Sequence, residues 1–303
     1  MRLSLVVLAL SMSSKCPIFS GFLACTTLLA TLGALLATLG LSGCPRQHID
    51  TTKSQTRIEL AYDALRANEL EIAEKEANAA LGYDPNNAVA YNVLGLADQI
   101  RAARAGLLIE FDDCLSGLDA EVIQHERDKA LTDADAHFAE AIRLAPDYGE
   151  AFANRGNIAL QMEEYERAQE LLMAALGFHG RLQSIGATRA HLGWAYFQQG
   201  NFPQAAKELR QALQFSPELC IALYRLGRVY FARQEWNNAE ERFTAVTKLP
   251  RCQMQEAYLY LSKTQAALGQ MTESQKNAQQ CVALAAKSCL SSQCSTLIGG
   301  MAR

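Results

Sequence analysis

Proline is scarce in this chain, 7 in 303 residues, which excludes proline-rich linkers and polyproline arms. Pro85, Pro146, Pro217 and Pro250 each follow a helical run that they cannot continue, and Pro203 sits where a first helical turn accepts it. Aromatic residues make up only 8% and tryptophans number 2, so each large ring is worth locating. Excess positive charge is missing as well: 28 Lys and Arg against 32 Asp and Glu give −4. Without a basic face, nucleic acid is not an expected partner. The chain has no glycine-rich phosphate loop, no CxxC and no nucleophile–base pair, and its five histidines are scattered. Asp133 and His137 stand one helical turn apart, near enough to share a metal. Two groups make no site, however, and a solvated helix face explains them better. No enzyme, metal or cofactor is expected.

What the sequence does contain is a repeat. Leu192 to Pro217 reads LGWAYFQQGNFPQAAKELRQALQFSP. Gly193 and Ala205 are small where two antiparallel helices must come close, Tyr196 and Leu209 fill the space beside them, and Gly200-Asn201 makes the turn. This spacing resembles the tetratricopeptide repeat, one helix–turn–helix per period of about 34 residues. Repeat one begins near Ser54, with Ala64, Ala73, Ala77, Ala80 and Pro85 as its markers. Repeat two opens with Tyr91, Leu94 and Gly95, and repeat three has Phe152, Gly156, Ala168 and Leu172. Repeat five has Leu226-Gly227, Tyr230, Ala239 and Phe243, and a degenerate repeat six has Leu261-Ser262, Ser274 and Ala278. The resemblance implies an all-α, right-handed superhelical solenoid of six repeats over residues 54–287. A capping helix is expected over residues 288–303.

Repeat two is interrupted. Ala134 follows Ala73 by 61 residues, one period plus about 27. The extra stretch, about 102–127, centres on Ser116-Gly117, and Ser116 with Asp119 has the form of a capping box. Both helices of the repeat are therefore expected to be longer, with the turn carried outward by about 20 Å. Leu107, Leu108, Ile109, Val122 and Ile123 supply an apolar face. The first reading is that the hairpin's own helices consume it; a docking arm is the second.

The N-terminus points out of the cytoplasm. No charged residue lies between Lys15 and Arg46, and the apolar run ends Leu41-Ser42-Gly43-Cys44, which looks like a bacterial lipobox. Residues 1–43 are expected to be a lipoprotein signal peptide, Cys44 the lipidated residue and 44–53 a tether. An uncleaved membrane-spanning anchor is the alternative. Six cysteines then remain, and an even number in an oxidising compartment suggests disulfides. Cys220 opens the first helix of repeat five and Cys252 precedes that of repeat six, so those two are expected to meet where neighbours stack. Cys289 and Cys294 are expected to pair with each other or with Cys281, and buried free thiols are the alternative.

In a stacked array the first helix of each repeat lines the inner face. Trp194, Phe197, Tyr224, Arg228 and Phe231 are the groove candidates, with Tyr62, Asn92, Leu96 and Asn157 upstream. Such a stripe suits an extended or helical peptide; burial against neighbouring helices is the plainer account of the rings. Ala153 precedes Asn157 where a carboxylate clamp needs lysine, so that specificity is not expected. Six repeats behind a lipobox resemble the pilotin lipoproteins of type IV pili. That resemblance implies a protein partner, the outer-membrane secretin, held in the groove. It also implies a lipid anchor in the outer membrane, facing the periplasm. A general periplasmic adaptor for cell-envelope complexes is the rival expectation.

Overall fold

The computed structural model describes residues 49–112, 114 and 117–300, which lie within one compact unit, His48–Arg303. The described residues form thirteen α-helices and no strand. Six helical hairpins follow one another: α1 Thr51–Arg66 with α2 Leu70–Tyr83, α3 Ala88–Leu107 with α4 Leu118–Leu144, and α5 Gly149–Gln161 with α6 Tyr165–Gly177. The next three are α7 Ile185–Gln198 with α8 Phe202–Phe215, α9 Cys220–Ala232 with α10 Trp236–Lys248, and α11 Gln255–Ala267 with α12 Met271–Leu284. A last helix, α13 Cys289–Gly300, packs on α12 and α11. Each hairpin touches the next, so the whole is a helical solenoid.

Helix α8 shows how the sequence writes these elements. The Asn201 side chain accepts from the Gln204 amide at 3.3 Å, Pro203 occupies the first turn, and Ala205, Leu209 and Ala212 share the buried face. The turns between paired helices use a common device. Asn68, Glu163, Gly200, Gln234 and Gly269 all carry positive φ, between 59° and 78°. Around Gly200, its amide donates to the Phe197 carbonyl and the Asn201 amide to the Tyr196 carbonyl. These bonds satisfy the orphan carbonyls of the first helix and reverse the chain.

The paired helices meet at a small residue. A Cβ added to Gly193 would lie 2.7 Å from Leu209 Cγ, and one added to Gly227 would lie 2.6 Å from Phe243 Cε1. Gly95 approaches Phe138, and Gly156 approaches Leu172, in the same way. In the degenerate sixth hairpin Ser262 stands in the glycine's place. Its hydroxyl donates to the Ser274 carbonyl at 2.9 Å and lies 3.0 Å from the Ser274 hydroxyl. Repeat six keeps the close approach and exchanges a van der Waals contact for hydrogen bonds.

Two expectations are corrected. Helix α1 begins at Thr51, capped by Asp50 accepting from the Lys53 amide at 3.0 Å, so residues 51–53 belong to the solenoid and not to a tether. Both helices of the second hairpin are indeed long, 20 and 27 residues, but α4 starts behind Gly117 at φ 76° without a side-chain cap. The capping box expected of Ser116 falls outside the described residues. The hairpin also does not consume its apolar face. Leu107, Leu108 and Val122 are 51%, 45% and 59% exposed, where α3 passes into a π-turn over Leu108–Asp112. Cys44 and the leader 1–43 lie outside the described residues.

Candidate functional site: the inner face

The first helices of the hairpins present two chemically different stretches. In the N-terminal half a cavity of about 780 Å³ opens between α1, α3 and α5, with Tyr62, Asn92, Leu96 and Asn154 among its walls. Asn154 Nδ2 donates to Asn92 Oδ1 at 3.0 Å, and Asn92 Nδ2 to the Tyr62 hydroxyl at 3.5 Å. Asn92 is 2% exposed. Gln99, one helical turn beyond Leu96, holds a buried Oε1 with no partner among the described residues. Beside Glu150 and Arg181, neutral amides line this half, groups that pair with a peptide backbone whatever its side chains. Asn157, the expected groove amide, is half-buried and takes no part in the chain of bonds; Asn154 holds that role.

In the C-terminal half a cation sits among rings. Arg228 on α9 donates from Nη1 to the Tyr224 hydroxyl at 2.9 Å. Its Cζ lies 3.9 Å from the Tyr260 ring centroid and 5.6 Å from those of both Trp194 and Phe197. Trp194 and Phe197 stack at 4.7 Å, and Phe231 meets Tyr260 edge-on at 5.2 Å. Among the described residues no carboxylate stands within ion-pair distance of Arg228. A guanidinium over aromatic faces keeps its charge and its remaining donors for something else.

The expected groove residues thus divide. Trp194, Phe197 and Arg228 are half-buried and gather across α7 and α9, and the half-buried Phe231 joins them through Tyr260 on α11. Tyr224 is core, 7% exposed and packed against Phe243 with ring centroids 6.1 Å apart. Burial pushes its hydroxyl up to about 12, although Arg228 opposes the shift. It is a positioning residue for Arg228. Glu256, on α11, is also raised: burial comes first and Glu110 in the π-turn adds to it, while its own backbone hydrogen bond and Arg228 pull the other way.

Sequence reasoning missed Tyr260, Asn154 and Arg225, and an internal period marks all three. The position two before the small residue of the first helix holds Asn154, His191, Arg225 and Tyr260 in successive repeats. Arg225 Nη1 donates to the Ala190 carbonyl at 3.0 Å and to His191 Nδ1 at 3.2 Å, beneath Trp194, whose ring lies 5.3 Å away. This half-buried pair holds α9 on α7. His137, considered beside Asp133, instead meets Asp98 at 2.8 Å. No group of three metal-ligating side chains occurs among the described residues.

The cysteines are joined as Cys220–Cys252, Cys281–Cys294 and Cys114–Cys289. The pairing of Cys289 with Cys294 is corrected. Cys294 lies on the face of α13 that packs on Leu259 and Cys281, whereas Cys289 opens the helix beside the tip of the second hairpin. Cys289 Sγ is 3.9 Å from the Ile109 carbonyl oxygen.

Known proteins fit this geometry. Models of the tetratricopeptide repeat match residues 149–178 and 193–239. Among solved structures, pilF of Pseudomonas aeruginosa is 15% identical with a TM-score of 0.60, covering 80% of this chain and 97% of its own. PilW, a widely conserved type IV pilus biogenesis factor, is 20% identical with a TM-score of 0.59, covering 77% of this chain and 94% of its own. The Cut9–Hcn1 assembly of the APC/C is 13% identical with a TM-score of 0.66, covering 83% of this chain but 43% of its own. At these identities the likeness is one of fold.

Proposed function

We propose that this tetratricopeptide-repeat protein is a lipid-anchored scaffold whose inner face holds a secretin-like subunit, the role of a pilotin in type IV pilus assembly. The observation that carries the reading is the cluster at Arg228: a cation framed by Trp194, Phe197 and Tyr260 with no carboxylate among the described residues within ion-pair distance. An extended segment laid along the inner face would meet amides first and then this cluster. Its backbone would pair with Asn154 and Gln99, and an acidic side chain or chain terminus would complete Arg228. The lipobox at Cys44, just ahead of α1, supplies the address. Two solved pilus factors that this chain covers almost end to end support the choice of partner class.

The test uses Arg228→Met and Trp194→Ala, since Tyr224 is core and its loss would disturb folding. Arg228→Met should leave helical content and membrane attachment intact and weaken capture of secretin by tenfold or more, the order of a lost charge-assisted contact. Normal secretin multimers in a strain lacking the gene would overturn the pilotin role and leave a general envelope adaptor. Undiminished capture by both folded variants would overturn the groove assignment. For the anchor, Cys44→Ser should leave an unprocessed precursor that takes up no labelled palmitate; unlabelled wild-type protein would refute lipidation.

A further inference from the structure

The second hairpin does not end in solvent. Its π-turn lies against α13, and Cys114 at the tip is bonded to Cys289 at the start of α13, 175 residues along the chain with Cα atoms 4.7 Å apart. The hairpin therefore ties repeat two to the far end of the array, and Glu110 is brought within electrostatic reach of Glu256 on α11. Glu256 in turn feels Arg228, so the tip and the aromatic half of the inner face lie within electrostatic reach of the same carboxylate.

The three disulfides differ in access. Cys281 and Cys294 are both 0% exposed, and Cys252 is 3% exposed beside a half-buried Cys220. Cys114 is exposed and Cys289 half-buried. Cys114 also holds φ at 46°, a left-handed backbone that residues with a Cβ adopt reluctantly. Near the tip Leu107, Leu108 and Val122 remain exposed, and Glu110 adds a second negative charge within reach of Glu256.

We propose that Cys114–Cys289 is a thiol–disulfide exchange site, through which a dithiol reductant releases the hairpin from α13 and uncovers the inner face around Arg228. One thiolate of the dithiol attacks Cys114 Sγ, the accessible sulfur. The bond to Cys289 breaks, Cys289 leaves as a thiolate that takes up a proton, and a mixed disulfide forms. The second thiol of the reductant resolves it and Cys114 is freed. Two electrons pass to the chain, which gains two thiols, and the reductant leaves as a disulfide. The closed form is a latched hairpin; the open form is a groove that a partner enters from the side. The purpose of the latch rests on the groove reading above, but its mechanics do not.

The test uses the full oxidised chain with spin labels on unnatural side chains at Glu121, on α4, and Lys276, on α12. Graded dithiothreitol followed by alkylation and peptide mapping should modify Cys114 and Cys289 about tenfold faster than the other four cysteines, because exchange follows access. Over the same range the label-to-label distance distribution should pass from narrow to broad, and the Cys114→Ser, Cys289→Ser double variant should show the broad form without reductant. Equal reduction of all three disulfides overturns the site. A distribution that stays narrow after Cys114–Cys289 is cut, or in the double variant, overturns the latch and makes the bond a brace. Secretin capture by the opened and closed forms separates the two proposals. Capture by neither form refutes the groove reading and leaves the latch standing.

Discussion

Replacing Gly227 with alanine tests the packing that places Arg228, its neighbour in sequence. The new Cβ would lie 2.6, 2.8 and 3.0 Å from Cε1, Cδ1 and Cζ of Phe243, where carbon atoms prefer about 3.5–4.0 Å. The ring cannot swing away. Phe243 is 0% exposed, with Tyr224 at 6.1 Å and Tyr260 at 5.9 Å between centroids. Helices α9 and α10 must therefore separate by about an ångström. Overpacking of this kind costs about 1–3 kcal/mol, against which alanine returns roughly 1 kcal/mol of helix propensity. A net loss of up to about 2 kcal/mol is expected in urea unfolding, with amide exchange in α9 and α10 faster by up to roughly tenfold because repeats contribute semi-independently. Gly106→Ala is the control. It lies in α3, where an added Cβ meets nothing within 4 Å, and should stabilise by up to about 1 kcal/mol. If Gly227→Ala gains as much stability as Gly106→Ala, close approach does not explain the small residue, and the argument fails for every hairpin.

Three further outcomes follow from other parts of the molecule. Gln234 holds φ at 59°, so Gln234→Gly should stabilise by about 0.5–1 kcal/mol in the same assay; a loss would refute strain at the turn. Cys220 and Cys252 close a loop across 32 residues, and replacing both with serine should cost about 3–4 kcal/mol, a prediction that fails if thermal unfolding is unchanged. Burial, with Arg225 beside it, pushes His191 down from 6.5 to about 3. The unfolded chain then binds the proton more readily, so stability is full above about pH 6.5 and declines as pH falls toward 3. His191→Gln should flatten that decline, and an unaltered pH profile would remove His191 from the explanation.

The repeat pattern was legible because each hairpin is local. A small residue facing a large one, a turn, and a proline past the second helix all lie within a single period, so helix pairs and their order could be read without knowing what they pack against. Trp194, Phe197 and Arg228 were legible as inner-face residues for the same reason. Tyr224 shows the limit. Helical spacing puts it on the inner side of α9, but its burial depends on Tyr260 and Phe243, which other helices supply. Asn157 and Asn154 differ by less than one helical turn, and only the position of Asn92 on the preceding hairpin decides which amide joins the chain of bonds. The farthest reach of all was the hairpin of repeat two. Its length followed from the register of the repeats, but its destination depends on how much each hairpin turns relative to the last. That small rotation, summed over four repeats, carries α13 to the hairpin tip, and it brings Cys114 to Cys289, a pairing that no local spacing contains.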